Sequence, residues 1–259
     1  MPKVATSSAR SEFHPRALAC TGSGTLAHDW TGAGDKDHTS YLKSLLSLPG
    51  VVYQSLETDT ILLQDDQYEA LFAIVSDGIV GLAHVLDDGR RSISHLFLPG
   101  DIIDFRYCDK VSGKAVCLSP SQLAMVSAEA FTNLGDNEQR IHEVLGNSLL
   151  KHWGFATRHC SDLARKSAIE KLASYIFECR KRYPGKVDKN NGGAVHLALR
   201  RIDISDYLGL RPETLCRAFA KLKQGHIIEF NNVSHVNILN EDALRKIADG
   251  KQTGRIESA

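Results

Sequence analysis

The chain has 259 residues, of which 42% are hydrophobic and 24% are charged, so it is long enough for about two domains with buried cores. This composition excludes the disordered class, which combines low hydrophobicity with high net charge. The 31 basic and 31 acidic residues cancel overall but not locally. Residues 1–164 carry 13 Lys and Arg against 20 Asp and Glu, whereas residues 165–259 carry 18 against 11, a net charge of −7 followed by +7.

The chain has no feature of a membrane protein or of a metal protein. No apolar run approaches the length of about 18 residues that a membrane helix needs, and the N-terminus lacks a signal-peptide core. We therefore expect a cytoplasmic protein with no membrane contact. The two closest of the six cysteines are nine positions apart, so no Cys-x-x-Cys pair exists, and we expect free thiols and no bound metal.

The first half of the chain predicts a flexible tail followed by a β domain. Residues 1–39 are rich in small and polar residues without any period, which is typical of a tail. Apolar residues at helical spacing predict a short helix over residues 41–48. Short apolar segments separated by turn signals then predict an antiparallel sandwich or barrel, and Asp88-Gly89 is the clearest hairpin turn. The segments are Val51–Tyr53, Thr60–Leu63, Ala70–Val75, Gly78–Val85 and Arg91–Leu98.

A long helix is predicted over residues 136–163, where Pro is absent and apolar residues recur every three or four positions. A single helix beside a small barrel would not bury its apolar stripe alone, so we expect a partner helix from a second copy of the chain. The alternative is that the stripe packs on the chain's own β domain. A second amphipathic helix follows a break near residue 163 and ends at Tyr183-Pro184-Gly185. The apolar stripe of the long helix consists of Ile141, Val144, Leu145, Ser148, His152 and Phe155.

Residues 201–240 predict a winged helix-turn-helix. A short helix over residues 202–208 is followed by Gly209, which supports a tight turn, and by Pro212, which suits the first turn of the next helix. That second helix runs to Lys223, with Leu215, Phe219 and Leu222 on its buried side. Two β segments with Asn231-Asn232 between them then predict the wing.

The outward side of the second helix carries residues suited to reading DNA. Arg217 is expected to pair bidentately with guanine, and Glu213 to accept a hydrogen bond from a cytosine amino group. Cys216 is expected to contact a base or phosphate, and Thr214 a phosphate or a thymine methyl group. Phosphate contacts are expected from Arg211, Lys221 and Lys223, which contribute affinity rather than sequence choice.

The chain resembles the Crp–Fnr family of bacterial transcription regulators over residues 41–250. The resemblance lies in Tyr-Leu-Gly-Leu-x-x-Glu-Thr-x-Cys-Arg at 207–217, Arg-Lys-Ser-Ala at 165–168 and Asp88-Gly89-Arg90 leading to Phe-Leu-Pro-Gly-Asp at 97–101. It implies an α+β fold: a cyclic-nucleotide-binding-type β-barrel (jelly roll) over 40–135, a dimerisation helix over 136–163, a winged helix-turn-helix over 164–250 and a short tail over 251–259.

The resemblance also implies a function. Glu213 and Arg217 match the recognition pair of the Fnr and FixK branches, which implies a homodimer on a palindromic site with TTGA-type half-sites. The resemblance thus implies a transcription regulator rather than an enzyme. Such a regulator is expected to act as an activator that contacts RNA polymerase. A barrel enzyme of the cupin type would need clustered metal ligands, which His84 and His95 alone do not supply.

Departures from the family pattern limit which ligands or cofactors can control this protein. Asp104 would put a negative charge where the phosphate of cyclic AMP should sit, and Cys20 alone in the tail does not replace three ligands of an iron–sulfur cluster. We therefore expect no cofactor, as in the FixK-type branch. A regulator gated by haem or another ligand, with His84 or His95 as an axial ligand, is the alternative.

Cys216 is the thiol that the sequence singles out for redox control. It lies near a helix N-terminus among basic residues, which favours the reactive thiolate. Oxidation there would place bulk and negative charge against DNA. Cys108 and Cys117 are predicted in the barrel or its loops, and Cys160 and Cys179 are predicted as packing thiols of the helices, although Cys160 could approach its mate in a dimer.

Overall fold

The computed structural model describes residues 46, 51–62, 70–105, 113–127, 138–182, 194–197, 199–230 and 234–251. The predicted tail over 1–39, Cys20, Cys108, the Tyr183-Pro184-Gly185 helix end, Asn231-Asn232 and all of the C-terminal tail except Lys251 lie outside the described residues. Of the helix predicted over 41–48, only Leu46 is described, and it is helical.

The N-terminal part is a sandwich of two antiparallel sheets, ordered β1-β7-β2-β5 and β4-β3-β6. Side chains of both sheets, such as Val75, Leu82 and Leu123, share one buried core. The described strands thus form the jelly-roll type of domain that the sequence predicts, as two sheets rather than a closed barrel. Their bounds are β1 Val51–Leu56, β2 Ala70–Asp77, β3 Val80–Val85, β4 Arg91–Phe97, β5 Ile102–Asp104, β6 Lys114–Cys117 and β7 Ser121–Ser127.

The hairpin between β3 and β4 is confirmed. Gly89 has a φ of +81°, a conformation that glycine adopts without strain, and the Leu86 amide donates to the Arg90 carbonyl at 2.9 Å. The two strands then pair in antiparallel register, with Val85 opposite Arg91.

Three strands, β5, β6 and β7, were missed by the sequence prediction. The most important is β7, which lies between β1 and β2. Val126 packs in a cluster that includes Leu145, whereas Met125 lies in the core between the sheets, so β7 is covered on both faces and lacks the polar alternation of an exposed strand. The strand predicted at 60–63 is reduced to one bridge between Ile61 and Val116.

Two helices connect the sandwich to the C-terminal domain. Helix α1 spans Glu138–Arg165 and helix α2 spans Ala168–Arg182. Glu170 accepts a hydrogen bond from the Ser167 amide at 2.7 Å, which caps the start of α2 and explains the break between the helices. The break comes two residues after the predicted end of the long helix.

The C-terminal domain combines three helices with a small sheet ordered β8-β10-β9. One buried core runs from Ile93 and Leu96 of the sandwich through Leu172 to Leu215 and Leu244, so the two domains pack against each other. The elements are β8 Val195–His196, α3 Arg201–Leu208, α4 Pro212–Gln224, β9 Ile228–Phe230, β10 His235–Ile238 and α5 Glu241–Ala248.

Candidate DNA-binding surface

Helices α3 and α4 form the helix-turn-helix that the sequence predicts. Gly209 ends α3 in the left-handed conformation, with φ 60° and ψ 40°, and its amide donates to the Ser205 carbonyl. Helix α4 begins at Pro212, the position where a missing amide costs nothing. Two local signals, one glycine and one proline, therefore set the turn and the start of the second helix.

Helix α4 has one buried and one exposed side. Leu215, Ala218, Phe219 and Leu222 are buried, which confirms the predicted apolar side. Glu213, Cys216 and Arg217 are exposed, and Thr214 is half-buried between the two sides. The side chains predicted to contact phosphates, Arg211, Lys221 and Lys223, are exposed as well. Six of the seven side chains are thus exposed and one is half-buried, and their contacts with DNA stay predictions.

Arg201 contributes a feature of this surface that the sequence did not reveal. Its guanidinium carbon lies 3.7 Å from the Phe219 ring centroid and 5.0 Å from that of Phe230, so it stacks between α4 and β9. The same guanidinium interacts electrostatically with the exposed Cys216 thiol. A cationic side chain at the start of α3 is thus within electrostatic range of Cys216.

The wing is a hairpin reinforced by a third short strand. Strand β10 pairs with β9, with Val236 opposite Phe230, and with β8, with Val236 opposite Val195. The predicted two-stranded wing is thus confirmed, and β8 joins it from before the helix-turn-helix. The third strand was not predicted because two residues are too few to show a period.

The stripe of α1 that was expected to meet a second copy faces the chain's own domains. Val144 and Leu145 pack on the Phe72 and Ile74 cluster of the sandwich, and Ser148 is only 6% exposed. These residues thus take the alternative arrangement that the sequence left open, packed on the chain's own β domain, and their contact with a second copy stays a prediction. His152 and Phe155 are partly buried as well: His152 contacts His95, and the guanidinium carbon of Arg182 lies 4.2 Å from the Phe155 ring centroid. The Ile141 side chain lies outside the described part.

A different side of α1 is open to solvent. Leu149, Leu150 and Trp153 are 69%, 70% and 72% exposed, which places them among the most exposed large apolar side chains of the described residues. Nothing lies within 4 Å of a Cβ added at Gly146 or Gly154, which flank them. We call Gly146, Leu149, Leu150, Trp153 and Gly154 the open face of α1. The periodicity alone did not say which of two apolar faces turns inward.

A buried polar cluster joins the sandwich, α1 and α2. His95 Nε2 lies 2.7 Å from His152 Nδ1, and Asp101 accepts from Lys151 at 3.0 Å and from Arg182 at 2.9 Å. Burial, together with the charges of His152 and Arg182, lowers the pKa of His95 to about 3. Burial alone would raise the pKa of Asp101, but Arg182, His152 and Lys151 outweigh it and lower the pKa to about 2.

This cluster bears on the haem alternative. His95 is 8% exposed and engaged with His152, and the strand register places it opposite Leu82, whereas His84 lies opposite Ser92. The two histidines are therefore not brought together as a pair of ligands. Within the described residues, no group of three or more His, Cys, Asp or Glu side chains is arranged to hold a metal ion.

A second group of charged side chains connects the sandwich to helix α3. Asp203 is fully buried and accepts hydrogen bonds from Arg91 of β4 and from Arg200, the latter at 2.6 Å. Arg91 also reaches Asp206 at 2.7 Å, and Arg200 reaches Asp59 at 2.7 Å. The first helix of the helix-turn-helix is thus held by charges from both domains.

Of the other described thiols, two are buried and one is exposed. Burial raises the pKa of Cys117 to about 11 and that of Cys179 to about 12, so both are structural thiols, as predicted. Cys160 is exposed on α1, which corrects its assignment as a packing thiol.

Two family models match the chain. The Crp-like helix-turn-helix domain matches residues 170–247, and the cyclic nucleotide-binding domain matches residues 53–138. The matches cover the two domains seen in the fold and leave most of α1 between them. No described helix has the length and apolar character that a membrane crossing requires.

Curated relatives point to regulators of transcription. The nitrogen fixation regulation protein FixK of Rhizobium meliloti is 29% identical over 175 residues, covering 68% of this chain and 77% of that protein. FixK of Azorhizobium caulinodans is 25% identical over 215 residues, covering 83% and 85%. The transcriptional activator protein FnrL of Cereibacter sphaeroides is 26% identical over 187 residues, covering 71% and 75%.

A solved structure has the same fold. FixK2 from Bradyrhizobium japonicum superimposes with a TM-score of 0.65 at 24% identity, covering 76% of this chain and 96% of that one. At this identity the likeness establishes the shared architecture of sandwich, long helix and winged helix-turn-helix.

Proposed function

Because the chain belongs to the Crp–Fnr family and is a DNA-binding transcription regulator similar to the FixK proteins, we propose that it acts as a homodimer on a palindromic promoter site. Each half-site is of the TTGA type, and each is read by one helix α4 in the major groove. Since DNA is its target, the protein works in the cytoplasm.

The observation that carries this proposal is the pair Glu213 and Arg217. These residues are one helical turn apart, both are exposed, and both lie in the first two turns of α4, which are the turns of a recognition helix that reach base edges. Arg217 donates two hydrogen bonds to guanine, and Glu213 accepts one from the amino group of a cytosine. Thr214 and Cys216 complete the contact with the half-site.

Phosphate contacts position the helix. Arg211 precedes α4, and Lys221 and Lys223 lie in its last turn, so these cations flank the base-reading residues at both ends of the helix. Such contacts raise affinity for every DNA sequence and make it depend on salt concentration.

The open face of α1 is the surface that meets the second copy. Burying Leu149, Leu150 and Trp153 between two α1 helices removes apolar area from water, and Gly146 and Gly154 permit close approach of the backbones. A dimer through α1 holds two recognition helices about 34–36 Å apart, one turn of DNA.

Cys216 makes DNA binding sensitive to oxidation. It is exposed between Glu213 and Arg217 on the reading side of α4, next to the guanidinium of Arg201. Oxidation to a sulfenic or sulfinic acid adds size and, for the sulfinate, negative charge where phosphate and base edges approach. Bound to its site, the reduced dimer contacts RNA polymerase, in keeping with the activator names of its relatives.

The test is binding of the purified full chain to a TTGA-N6-TCAA duplex and to a scrambled duplex at one salt concentration, before and after mild peroxide. We expect a preference for the palindrome that oxidation abolishes, and the same preference in Cys216→Ser with no effect of peroxide. Equal binding to both duplexes by the reduced protein would refute the half-site. Loss of binding on oxidation of the Ser variant would assign the sensitivity to another residue.

A further inference from the structure

A cleft of about 590 Å³ lies behind the helix-turn-helix, away from the reading side of α4. The C-terminal half of α1 forms one wall, helices α2 and α5 form the others, and Tyr207 and Leu208 at the end of α3 close it. Its volume is that of sites that hold a ligand of nucleotide size.

The lining of the cleft carries an excess of positive charge. It contains seven Lys or Arg residues and four Asp or Glu residues. Some of these cations are neutralised, as where Lys166 pairs with Asp162 and Arg180 with Glu241. In the described part of the chain, no carboxylate lies within ion-pair distance of Arg158, Lys171 or Lys181. The cleft therefore attracts an anion.

His159 lines the same cleft and has one buried ring nitrogen without a partner. Its ring stacks on Tyr207 with centroids 4.0 Å apart and planes 6° from parallel, and it forms a hydrogen bond with the Tyr207 backbone. The other ring nitrogen, Nε2, is buried and has no hydrogen-bond partner among the described residues. In a neutral ring whose Nδ1–H donates to a carbonyl, Nε2 is an acceptor, and a buried acceptor left unpaired costs free energy. A hydroxyl group of a ligand would satisfy it.

We propose that this cleft binds an organic phosphate, a sugar phosphate or nucleotide monophosphate, whose phosphate lies at Arg158 and Lys171 and whose hydroxyl donates to His159 Nε2. Phosphate esters of this size supply both groups that the lining lacks, a compact anion and a nearby hydroxyl donor. The ligand touches α1 and the C-terminal domain together.

Occupancy of the cleft sets the orientation of the helix-turn-helix relative to α1. Tyr207 lies two residues before the turn at Gly209, and His159 lies on α1, so a ligand held at their contact fixes one arrangement of the two elements. A ligand that prefers one arrangement changes DNA affinity by its differential affinity for the two states. This consequence rests on the proposed function, whereas binding itself does not.

Binding is tested by calorimetric titration of the full chain with AMP and ribose 5-phosphate, and with adenosine and inorganic phosphate as partial ligands. We expect saturable binding of at least one ester, weaker by about tenfold or more in Lys171→Gln, and little binding of adenosine. Lys223→Gln removes a comparable charge from the DNA-reading helix and is expected to leave ester binding unchanged.

Three results would overturn the site. They are failure of both esters to bind at millimolar concentration, binding that Lys223→Gln weakens and Lys171→Gln does not, and binding of inorganic phosphate as tight as that of the esters. The coupling is read separately, as a change of several-fold in affinity for the palindromic duplex when ester is present. Ester binding without that change would keep the site and refute the coupling, and ester binding without any preference for the palindrome would refute the proposed half-site alone.

Discussion

At the scale of single residues, the chemistry of this protein depends on which polar side chains are exposed and which are buried. Glu213 and Arg217 are exposed and free to meet DNA, whereas His95, Asp101 and Asp203 are buried and engaged within the chain. Exposed groups can carry specificity, whereas buried ones make stability depend on the presence of every partner. The shifted pKa values of His95 and Asp101 also make stability depend on pH.

Replacing Arg217 by Ala should cost about 1–3 kcal/mol of binding free energy on the palindrome and relax discrimination at one base pair. The reason is the loss of a bidentate contact that only guanine offers. Lys223→Ala is the matched control, since it should weaken binding to all DNA sequences alike. It should also reduce the slope of log affinity against log salt concentration by about one, because one phosphate contact is lost. Binding to specific and scrambled duplexes over a series of salt concentrations separates the two, and equal losses on both duplexes for Arg217→Ala would contradict its assignment.

Acid should destabilise the protein through His95. Its pKa is about 3 in the folded chain and 6.5 in the unfolded chain, so between these values the unfolded state binds the proton more tightly. The stabilising effect of neutral His95 is complete above pH 6.5 and is lost as the pH falls toward 3. We expect about 2 kcal/mol less free energy of unfolding at pH 5 than at pH 7.5 from this group.

Urea unfolding at the two pH values measures this effect. His95→Gln keeps a hydrogen-bonding side chain without the titration, so most of the difference between the two pH values should disappear in that variant. An unchanged difference would show that other groups are responsible.

At the scale of elements, helix α1 has two apolar faces with different partners. One contains Val144, Leu145 and Ser148 and lies against the sandwich, and the other is the open face. A helix with one amphipathic stripe needs one partner, but a helix with two apolar faces links a domain to a further surface. This explains why the helix is long and why its sequence shows an imperfect period.

Trp153→Glu should therefore weaken the dimer. It places a charge in the middle of the open face, where a second copy would have to bury it. Gln122→Glu adds the same charge to an exposed position of β7, outside α1, and should leave assembly unchanged. Sedimentation or light scattering gives the mass of each variant, and a dimer of undiminished stability in Trp153→Glu would mean that another surface pairs the chains.

At the scale of the whole molecule, the two domains are joined by packing and by charge. The shared core runs from Ile93 to Leu244, and Arg91 of the sandwich reaches the buried Asp203 and the partly buried Asp206 of α3. The sandwich is thus in direct contact with the helix-turn-helix through α3 as well as with α1.

Removing Arg91 should loosen this junction. Arg91→Ala leaves Asp203 with Arg200 alone and leaves Asp206 unpaired, which should lower the free energy of unfolding by roughly 1.5–3 kcal/mol. The neighbouring Arg90→Ala breaks an ion pair with Asp88 in which both side chains are more than half exposed, so it should cost at most about 1 kcal/mol. Urea unfolding of the two variants gives the comparison, and equal losses would show that Arg91 contributes no more than a surface charge.

The helix-turn-helix and its reading residues could be predicted from the sequence because their signals are local. Gly209 and Pro212 determine backbone conformation where they stand, and the positions of Leu215, Phe219 and Leu222 repeat with the helix period. The same holds for the hairpin at Gly89, where two residues specify the turn. For such features, neighbours along the chain carry the physical cause.

Only the tertiary structure decided which partners distant residues find. Strand β7 was missed because contacts with both the core and α1 remove its polar alternation, and the sequence did not say which face of α1 lies inward. The pairs His95 with His152 and Arg91 with Asp203 join residues 57 and 112 positions apart, and no local preference specifies such a contact. Periodicity reports that a side chain will be buried, but the packing of whole elements determines what it is buried against.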